Sequence, residues 1–128
     1  MRIEHIALWA ENLERLKEFY TGFFEMKSSE KYVNPEKEFS SYFLSFKDGA
    51  RIEIMHRPDK FPAGEDRGTK LGLSHIAISV GSKQKVDHLT NLIRSRGYRI
   101  AGEPRTTGDG YYESVIEDPE GNLVEITE

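Results

Sequence analysis

The segment LSHIAISV at residues 73–80 decides the fold, because it restarts a pattern that begins with IEHIAL at residues 3–8. The tripeptide HIA at residues 5–7 returns at residues 75–77, which is a spacing of 70 positions (75 − 5). A true structural duplication keeps equivalent residues at a constant spacing, whereas a chance match does not. The restart therefore predicts that the chain contains two copies of one module.

Other parts of the chain keep the same register. Apolar residues recur at helical spacing after each HIA, and their positions agree between the copies: Leu16 with Val86, Phe19 with Leu89 and Phe23 with Ile93. The segment DGARIEI at residues 48–54 returns as EGNLVEI at residues 120–126, with a spacing of 72 (125 − 53), which predicts an insertion of two residues in the turn. Agreement of helix faces and hairpins favours duplication over coincidence.

Each module is predicted to be β-α-β-β-β, which makes the chain an α+β protein. In the first copy a helix follows Asn12, and in the second a helix extends from Ser82 to Gly97. Strands are predicted at residues 2–8, 30–33, 41–46, 50–56, 73–80, 99–103, 111–117 and 122–128.

The expected domain organisation is one domain over residues 1–128, with module 1 at residues 1–56 and module 2 at residues 73–128. Between the modules lies a predicted linker, residues 57–72, because this stretch has two prolines, three glycines and no periodicity.

Composition excludes several classes of function. The net charge is −4, and Lys and Arg are scattered among Asp and Glu, so no basic stripe is available for nucleic acid. No apolar run approaches the ~20 residues of a membrane helix, and a charged strand-like segment begins at once, which predicts a cytoplasmic protein without a signal peptide. Because the chain has no cysteine, a metal would have to be bound through imidazole, carboxylate and water.

Alternation along the strands places His and Glu on one face of each module. His5 points opposite to Ile6, and Glu53 lies between two β-branched residues whose side chains should occupy the helix-covered face. By duplication, His75 and Glu125 take the equivalent places in the second module.

Two imidazoles and two carboxylates on equivalent strands form a candidate N2O2 ligand set. Such a set, with room for water, suits one divalent ion of zinc, nickel, cobalt, iron or manganese. A single strand His is usually a satisfied structural residue, and a single Glu is usually solvated. The recurrence of the pair in both copies favours the metal-binding interpretation, because a duplicated module provides a symmetric site.

The whole chain resembles the glyoxalase, bleomycin-resistance and extradiol dioxygenase superfamily, also called vicinal oxygen chelate proteins. The resemblance is carried by IEHIAL and LERLKEFYTGFFEM near the amino terminus, by RIEI and LSHIAISV, and most specifically by EDPEGNLVEI at residues 117–126. It implies a cup-shaped mixed β-sheet built from the paired modules, with helices on its outer face. It also implies a metal bound by His5, Glu53, His75 and Glu125, and a homodimer whose interface builds the site.

The resemblance is greatest to glyoxalase I, the lactoylglutathione lyase. In that chemistry, a metal with two free positions binds adjacent substrate oxygens and stabilises an enediolate-type intermediate. A carboxylate that leaves the metal serves as the base, which makes Glu53 and Glu125 the catalytic candidates. The implied substrate is a small oxygenated molecule such as an adduct of glutathione or another thiol.

Four further residues are candidates for substrate binding. Lyases of this type usually carry an Arg shortly after the first His, but this chain has Trp9 there, on the same face as His5 by parity. Tyr111 and Tyr112 follow a glycine-rich loop, where relatives often keep substrate contacts. Arg51 is a candidate for an anionic group.

Three alternatives remain open at this point. An extradiol dioxygenase would use iron and only three protein ligands, so a fourth ligand at Glu53 argues against it. A fosfomycin-modifying enzyme would need cations and hydroxyls around a phosphonate. A metal-free protein of the bleomycin-binding type would bind a flat ligand in the same cup, although such proteins generally lose the ligand set that this chain keeps.

Overall fold

The computed structural model describes residues 1–61, 64, 68 and 71–128. The chain divides into two compact units, Met1–Pro62 and Ala63–Glu128. Part of the predicted linker 57–72 lies outside the described residues, and the assignment of one domain with these module boundaries stays a prediction.

The first unit combines one α-helix with one mixed β-sheet. Its elements are β1 (His5–Trp9), α1 (Leu13–Phe23), β2 (Lys27–Ser28), β3 (Tyr32–Asn34), a 3-10 helix (Pro35–Lys37), β4 (Phe39–Ser45) and β5 (Arg51–His56). The strand order is β1-β5-β4-β2, and β3 also pairs with β4. Strands β1 and β5 are parallel, whereas the other pairs are antiparallel.

The second unit repeats this plan with one strand fewer. Its elements are β6 (Ile76–Ser79), α2 (Lys83–Ser95), β7 (Ile100–Thr106), β8 (Tyr112–Glu117) and β9 (Leu123–Thr127). The sheet order is β6-β9-β8-β7, with β6 and β9 parallel and the other pairs antiparallel. The α+β prediction is confirmed, with two mixed sheets and two helices.

The predicted helix boundaries are confirmed by their caps. The Asn12 side chain accepts a hydrogen bond from the Arg15 amide (3.0 Å), and Ser82 accepts one from the Lys85 amide (3.3 Å). Helix α2 ends at Ser95, and Gly97, two residues beyond it, has a φ of +83° and donates to the Arg94 carbonyl (2.9 Å). Within the described part of the chain, no helix is long and apolar enough to span a membrane.

The core of each unit lies between its helix and one face of its sheet. Helix α1 packs on β4 and β5, and α2 packs on β7, β8 and β9. The largest fully buried apolar side chains are Leu16, Phe19, Tyr20, Leu44 and Ile54 in the first unit, and Val86, Ile93, Ile116, Val124 and Ile126 in the second. The opposite face of each sheet, which we call the open face, carries the polar residues considered next.

Candidate metal centre

The first unit brings His5 and Glu53 together on its open face. Strands β1 and β5 are in parallel register with Ala7 opposite Glu53, and His5 lies two residues earlier on the same side of its strand. Ile52 and Ile54 are buried on the helix side, so alternation directs Glu53 to the open face. The distance from His5 Nε2 to the nearer Glu53 carboxylate oxygen is 3.7 Å.

The second unit repeats this arrangement with His75 and Glu125. Ala77 lies opposite Glu125 in the parallel pair of β6 and β9, and His75 immediately precedes β6. The distance from His75 Nε2 to the Glu125 carboxylate is 3.4 Å. The parity predicted for the two glutamates is therefore observed in both units.

The paired donors have a geometry that suits a shared ion. Two ligand atoms about 2.0–2.2 Å from one metal stand roughly 3.0–3.5 Å apart when their angle at the metal is about 90–109°. The observed separations of 3.7 and 3.4 Å lie close to this range. The imidazoles are 39% and 44% exposed and the carboxylates 17% and 16%, so each pair is accessible yet held by its sheet.

Each unit thus presents one His–Glu pair, which we call a half-site: His5 with Glu53, and His75 with Glu125. Among the residues that the structure describes, no three His, Asp or Glu side chains are placed to hold one ion. The sharing of one ion by all four predicted ligands stays a prediction.

Arg51, predicted as an anion contact, lies next to His5 in the register of β1 and β5. Its guanidinium forms an ion pair with Glu4 and lies 4.0 Å from the centre of the Phe43 ring. The other Glu4 oxygen is 2.5 Å from His5 Nδ1. Arg51 therefore contacts Glu4 and Phe43, both of which contact the His5 ring.

Glu113 is a site residue that the sequence analysis missed. It lies on β8, which pairs with β9, and it is buried on the same open face as Glu125. Burial, followed by the negative charge of Glu113, raises the pKa of Glu125, whereas His75 acts in the opposite direction. Arg105 donates a hydrogen bond to Glu113 (3.3 Å). The sequence could have indicated the position of Glu113, because alternation along β8 places Glu113 and the apolar Ile116 on opposite faces of the sheet.

Trp9 lies at the end of β1 on the side of His5, as parity predicted, and its indole is partly exposed. Its ring meets Phe39 edge-on at 6.3 Å, and Phe39 in turn lies 6.1 Å from Tyr32. Lys60 Nζ lies 4.9 Å from the centre of the indole. Trp9, the partly buried Phe39 and Tyr32 form a row of ring contacts in the first unit, which we call the exposed aromatic cluster because its two outer rings are exposed. Only Trp9 was predicted from the sequence.

The two predicted tyrosine contacts have different surroundings. Tyr111 is exposed in the loop before β8. Tyr112 is directed to the helix side of the sheet, where its hydroxyl donates to Asp87 of α2 (2.7 Å) and Lys83 Nζ lies 5.3 Å from its ring. Tyr112 therefore lies on the face opposite to Glu125, away from the predicted ligands.

The other two histidines lie outside this ligand set: His88 is exposed and His56 is partly buried. Nδ1 of the His56 ring forms a hydrogen bond with the Ala10 carbonyl (2.9 Å). His56 therefore connects the ends of β1 and β5.

Comparison with known proteins gives consistent matches over the full chain. A family model described as Glyoxalase/Bleomycin resistance protein/Dioxygenase superfamily matches residues 2–126. The uncharacterized protein YqjT of Bacillus subtilis is 29% identical over 97% of this chain and 96% of its own length. Lactoylglutathione lyase GLX1 of Arabidopsis thaliana is 31% identical over 98% of this chain, which spans 43% of the plant protein.

The structure also resembles solved structures. Glyoxalase I from Zea mays superposes with a TM-score of 0.80 and 26% identity, over 98% of this chain and 44% of the maize chain. The chain thus spans less than half the length of the two plant proteins, whereas it spans nearly all of the bacterial one.

Proposed function

Because this chain belongs to the Glyoxalase/Bleomycin resistance protein/Dioxygenase superfamily, we propose that it is a metal-dependent lyase or isomerase resembling glyoxalase I. The observation that carries the proposal is the repeated half-site, in which a His Nε2 lies 3.7 or 3.4 Å from a Glu carboxylate. A single His–Glu pair is common in proteins, but its recurrence at equivalent positions of two modules fits a ligand set.

The proposed ligands are His5, Glu53, His75 and Glu125. Neutral imidazole and carboxylate are the donors that zinc, nickel, cobalt, iron and manganese accept. A divalent ion held there would supply Lewis-acid stabilisation of negative charge on the substrate.

The chain's own contribution to the reaction is proton transfer by a carboxylate. Glu53 and Glu125 are the candidates for the base that removes a proton from the carbon next to a carbonyl group. Both side chains are more than four-fifths buried, and each is held on a strand whose neighbouring residues lie in the core. Strands hold such a group more firmly than a loop would.

The proposed substrate is a small oxygenated molecule, including adducts of glutathione or another thiol. The relatives named lactoylglutathione lyase support this class. Trp9 and Phe39 would give an apolar wall to the substrate, since both rings lie in the exposed aromatic cluster. A homodimer that completes the site is part of the proposal and is supported by the family resemblance.

A second candidate function is the binding of a flat ligand without catalysis. The exposed aromatic cluster favours it, because rings at 6.1–6.3 Å from each other offer a stacking surface for an aromatic molecule. This candidate does not explain the repeated half-site, whereas the enzymatic proposal accounts for both features.

The test is a reconstitution panel. Purified protein would be loaded separately with nickel, zinc, cobalt, manganese and iron(II), and assayed with methylglyoxal plus glutathione and plus other thiols. The proposal expects about one equivalent of metal per site and metal-dependent turnover. Less than about a tenth of an equivalent with every metal, together with binding of flat aromatic ligands, would favour the binding protein.

A further inference from the structure

We infer that Glu4 is a positioning residue, which holds the His5 ring with its proton on Nδ1 so that Nε2 is presented to the metal. The inference rests on the proposed function, in which His5 is a ligand. Glu4 would touch neither metal nor substrate, and it would act through His5.

The contacts of the His5 ring define this role. Glu4 Oε2 lies 2.5 Å from Nδ1 at one edge of the ring, and Glu53 lies 3.7 Å from Nε2 at the other edge. An ionised carboxylate can only accept a hydrogen bond, so the proton must be on Nδ1. In the neutral ring, Nε2 then has a free lone pair on the side of Glu53. Carboxylates at this position of metal-binding histidines fix the tautomer and the ring orientation.

Glu4 is itself held in place. Arg51 forms an ion pair with the second Glu4 oxygen, and its backbone amide donates to the Glu4 carbonyl (3.0 Å). The Arg51 guanidinium lies over the Phe43 ring at 4.0 Å, and Phe43 meets the His5 ring edge-on at 5.5 Å. Glu4, His5, Phe43 and Arg51 therefore form a closed circle of contacts, which we call the His5 support.

The His5 support is specific to the first unit. At the equivalent positions, offset by 70 or 72 residues, the second unit has Ser74, Leu123 and Val115. These residues cannot form a carboxylate–guanidinium pair or a cation–π contact. The support is therefore not a by-product of the duplicated fold.

The test compares Glu4→Ala and Glu4→Gln with wild type. ¹⁵N NMR of the metal-free protein would report the tautomer of His5, and calorimetric titration with nickel would report affinity. The expected result is the Nδ1–H tautomer in wild type, a mixed population in Glu4→Ala, and a loss of nickel affinity of about 10-fold. Glu4→Gln should have a tautomer population and a nickel affinity between those of wild type and Glu4→Ala, because an amide oxygen still accepts a hydrogen bond.

Glu103→Gln is the matched control. It also removes an exposed carboxylate from an ion pair with arginine, in this case Arg94 at 2.5 Å, and should change neither readout. Circular dichroism would establish that every variant is folded.

Two results overturn the inference while leaving the proposed function intact: an Nε2–H tautomer for His5 in the wild type, or equal nickel affinity in wild type and Glu4→Ala. Failure of wild type to bind any metal of the reconstitution panel would instead overturn the proposed function, and the inference with it. The tautomer measurement on metal-free protein separates these cases.

Discussion

The surroundings of Glu125 act on its pKa in opposite directions. Its carboxylate is mostly buried and faces Glu113 on the next strand, and both effects raise its pKa, while His75 stabilises its charge. A structural role would favour an uncharged residue in this place. A charged one is expected where a cation binds.

Replacing Glu125 by Gln should therefore weaken metal retention and abolish turnover without unfolding the protein. The amide keeps the size of the side chain but can neither carry the charge nor accept a proton, so a loss of at least about 100-fold in kcat is expected. Metal content and kcat would be measured together with circular dichroism.

Glu117→Gln is the control, because Glu117 is a partly exposed carboxylate in the same sheet that pairs with Arg99. Unchanged turnover in Glu125→Gln would remove Glu125 from the mechanism.

Glu14 should contribute to stability in a pH-dependent manner. Hydrogen bonds from Lys17, Lys31 and Tyr42 lower the pKa of Glu14 from 4.5 to about 2. A lowered carboxyl pKa stabilises the fold above about pH 4.5, and this contribution is lost as the pH falls towards 2. Because Glu14 is about half exposed, Glu14→Gln should lower the free energy of unfolding at pH 7 by only about 0.5–1 kcal/mol.

The measurement is denaturant unfolding of wild type and Glu14→Gln at pH 7 and near pH 2. The difference between the two proteins should shrink at the lower pH. A difference of the same size at both pH values would mean that the charge of Glu14 is not its source.

At the residue scale, the site residues that recur in both modules were predicted, and those without an equivalent in the other module were missed. Glu53 and Glu125 were found by strand parity and by their repetition. Glu4 and Glu113 were missed, because the positions equivalent to them hold Ser74 and Ser41. Their roles depend on neighbours that only the folded sheet supplies.

At the scale of elements, the two hairpin turns of the duplicated module differ. In the second unit, Asp118 is buried and accepts hydrogen bonds from the amides of Glu120 and Asn122 (both 2.9 Å) and from the Asn122 side chain (2.8 Å). Asp48, in the corresponding turn of the first unit, is exposed. The turn before β9, which carries Glu125, is therefore more firmly constrained.

Asp118→Ala should lower the free energy of unfolding by about 1–3 kcal/mol, because buried donors lose their acceptor. Asp48→Ala is the matched control and should cost less than about 0.5 kcal/mol, as is usual for a surface substitution. Denaturant unfolding of both variants would test this. Equal costs would show that the hydrogen bonds of Asp118 add nothing to the turn.

Helix boundaries were predicted because caps are local, but two features of the elements were not. The predicted strand at residues 30–33 is observed as two short strands, β2 and β3. Just after β2, Ser29 donates its amide to the Phe43 carbonyl (2.8 Å) and accepts a hydrogen bond from the Phe43 amide with its hydroxyl (3.0 Å). Thr90 of α2 is buried although polar, because its hydroxyl bonds to the Val86 carbonyl and to Ser114 (both 2.6 Å). Both depend on long-range partners.

At the scale of the whole molecule, the duplication could be recognised from spacing alone, because each module folds by the same local rules. The sequence also predicted which face of each sheet carries His and Glu. The sequence could not predict the assembly. Alternation along a strand determines on which face of the sheet a side chain lies, but not which other part of the protein that face contacts.

The proposed homodimer can be tested by mixing two inactive variants, His5→Ala and His75→Ala. If each site takes one half-site from each subunit, a mixed dimer keeps one intact site, and random exchange should restore about a quarter of wild-type activity. If each site is formed within one chain, no activity returns. Subunit exchange would be followed by mass spectrometry to establish that mixed dimers have formed.

The central claim is that two imidazoles and two carboxylates bind one divalent ion. X-ray absorption spectroscopy of the nickel- or zinc-loaded protein tests it most directly. We expect two imidazole nitrogens and further oxygen ligands, all at about 2.0–2.2 Å from the metal. A spectrum with one imidazole or none would contradict the claim.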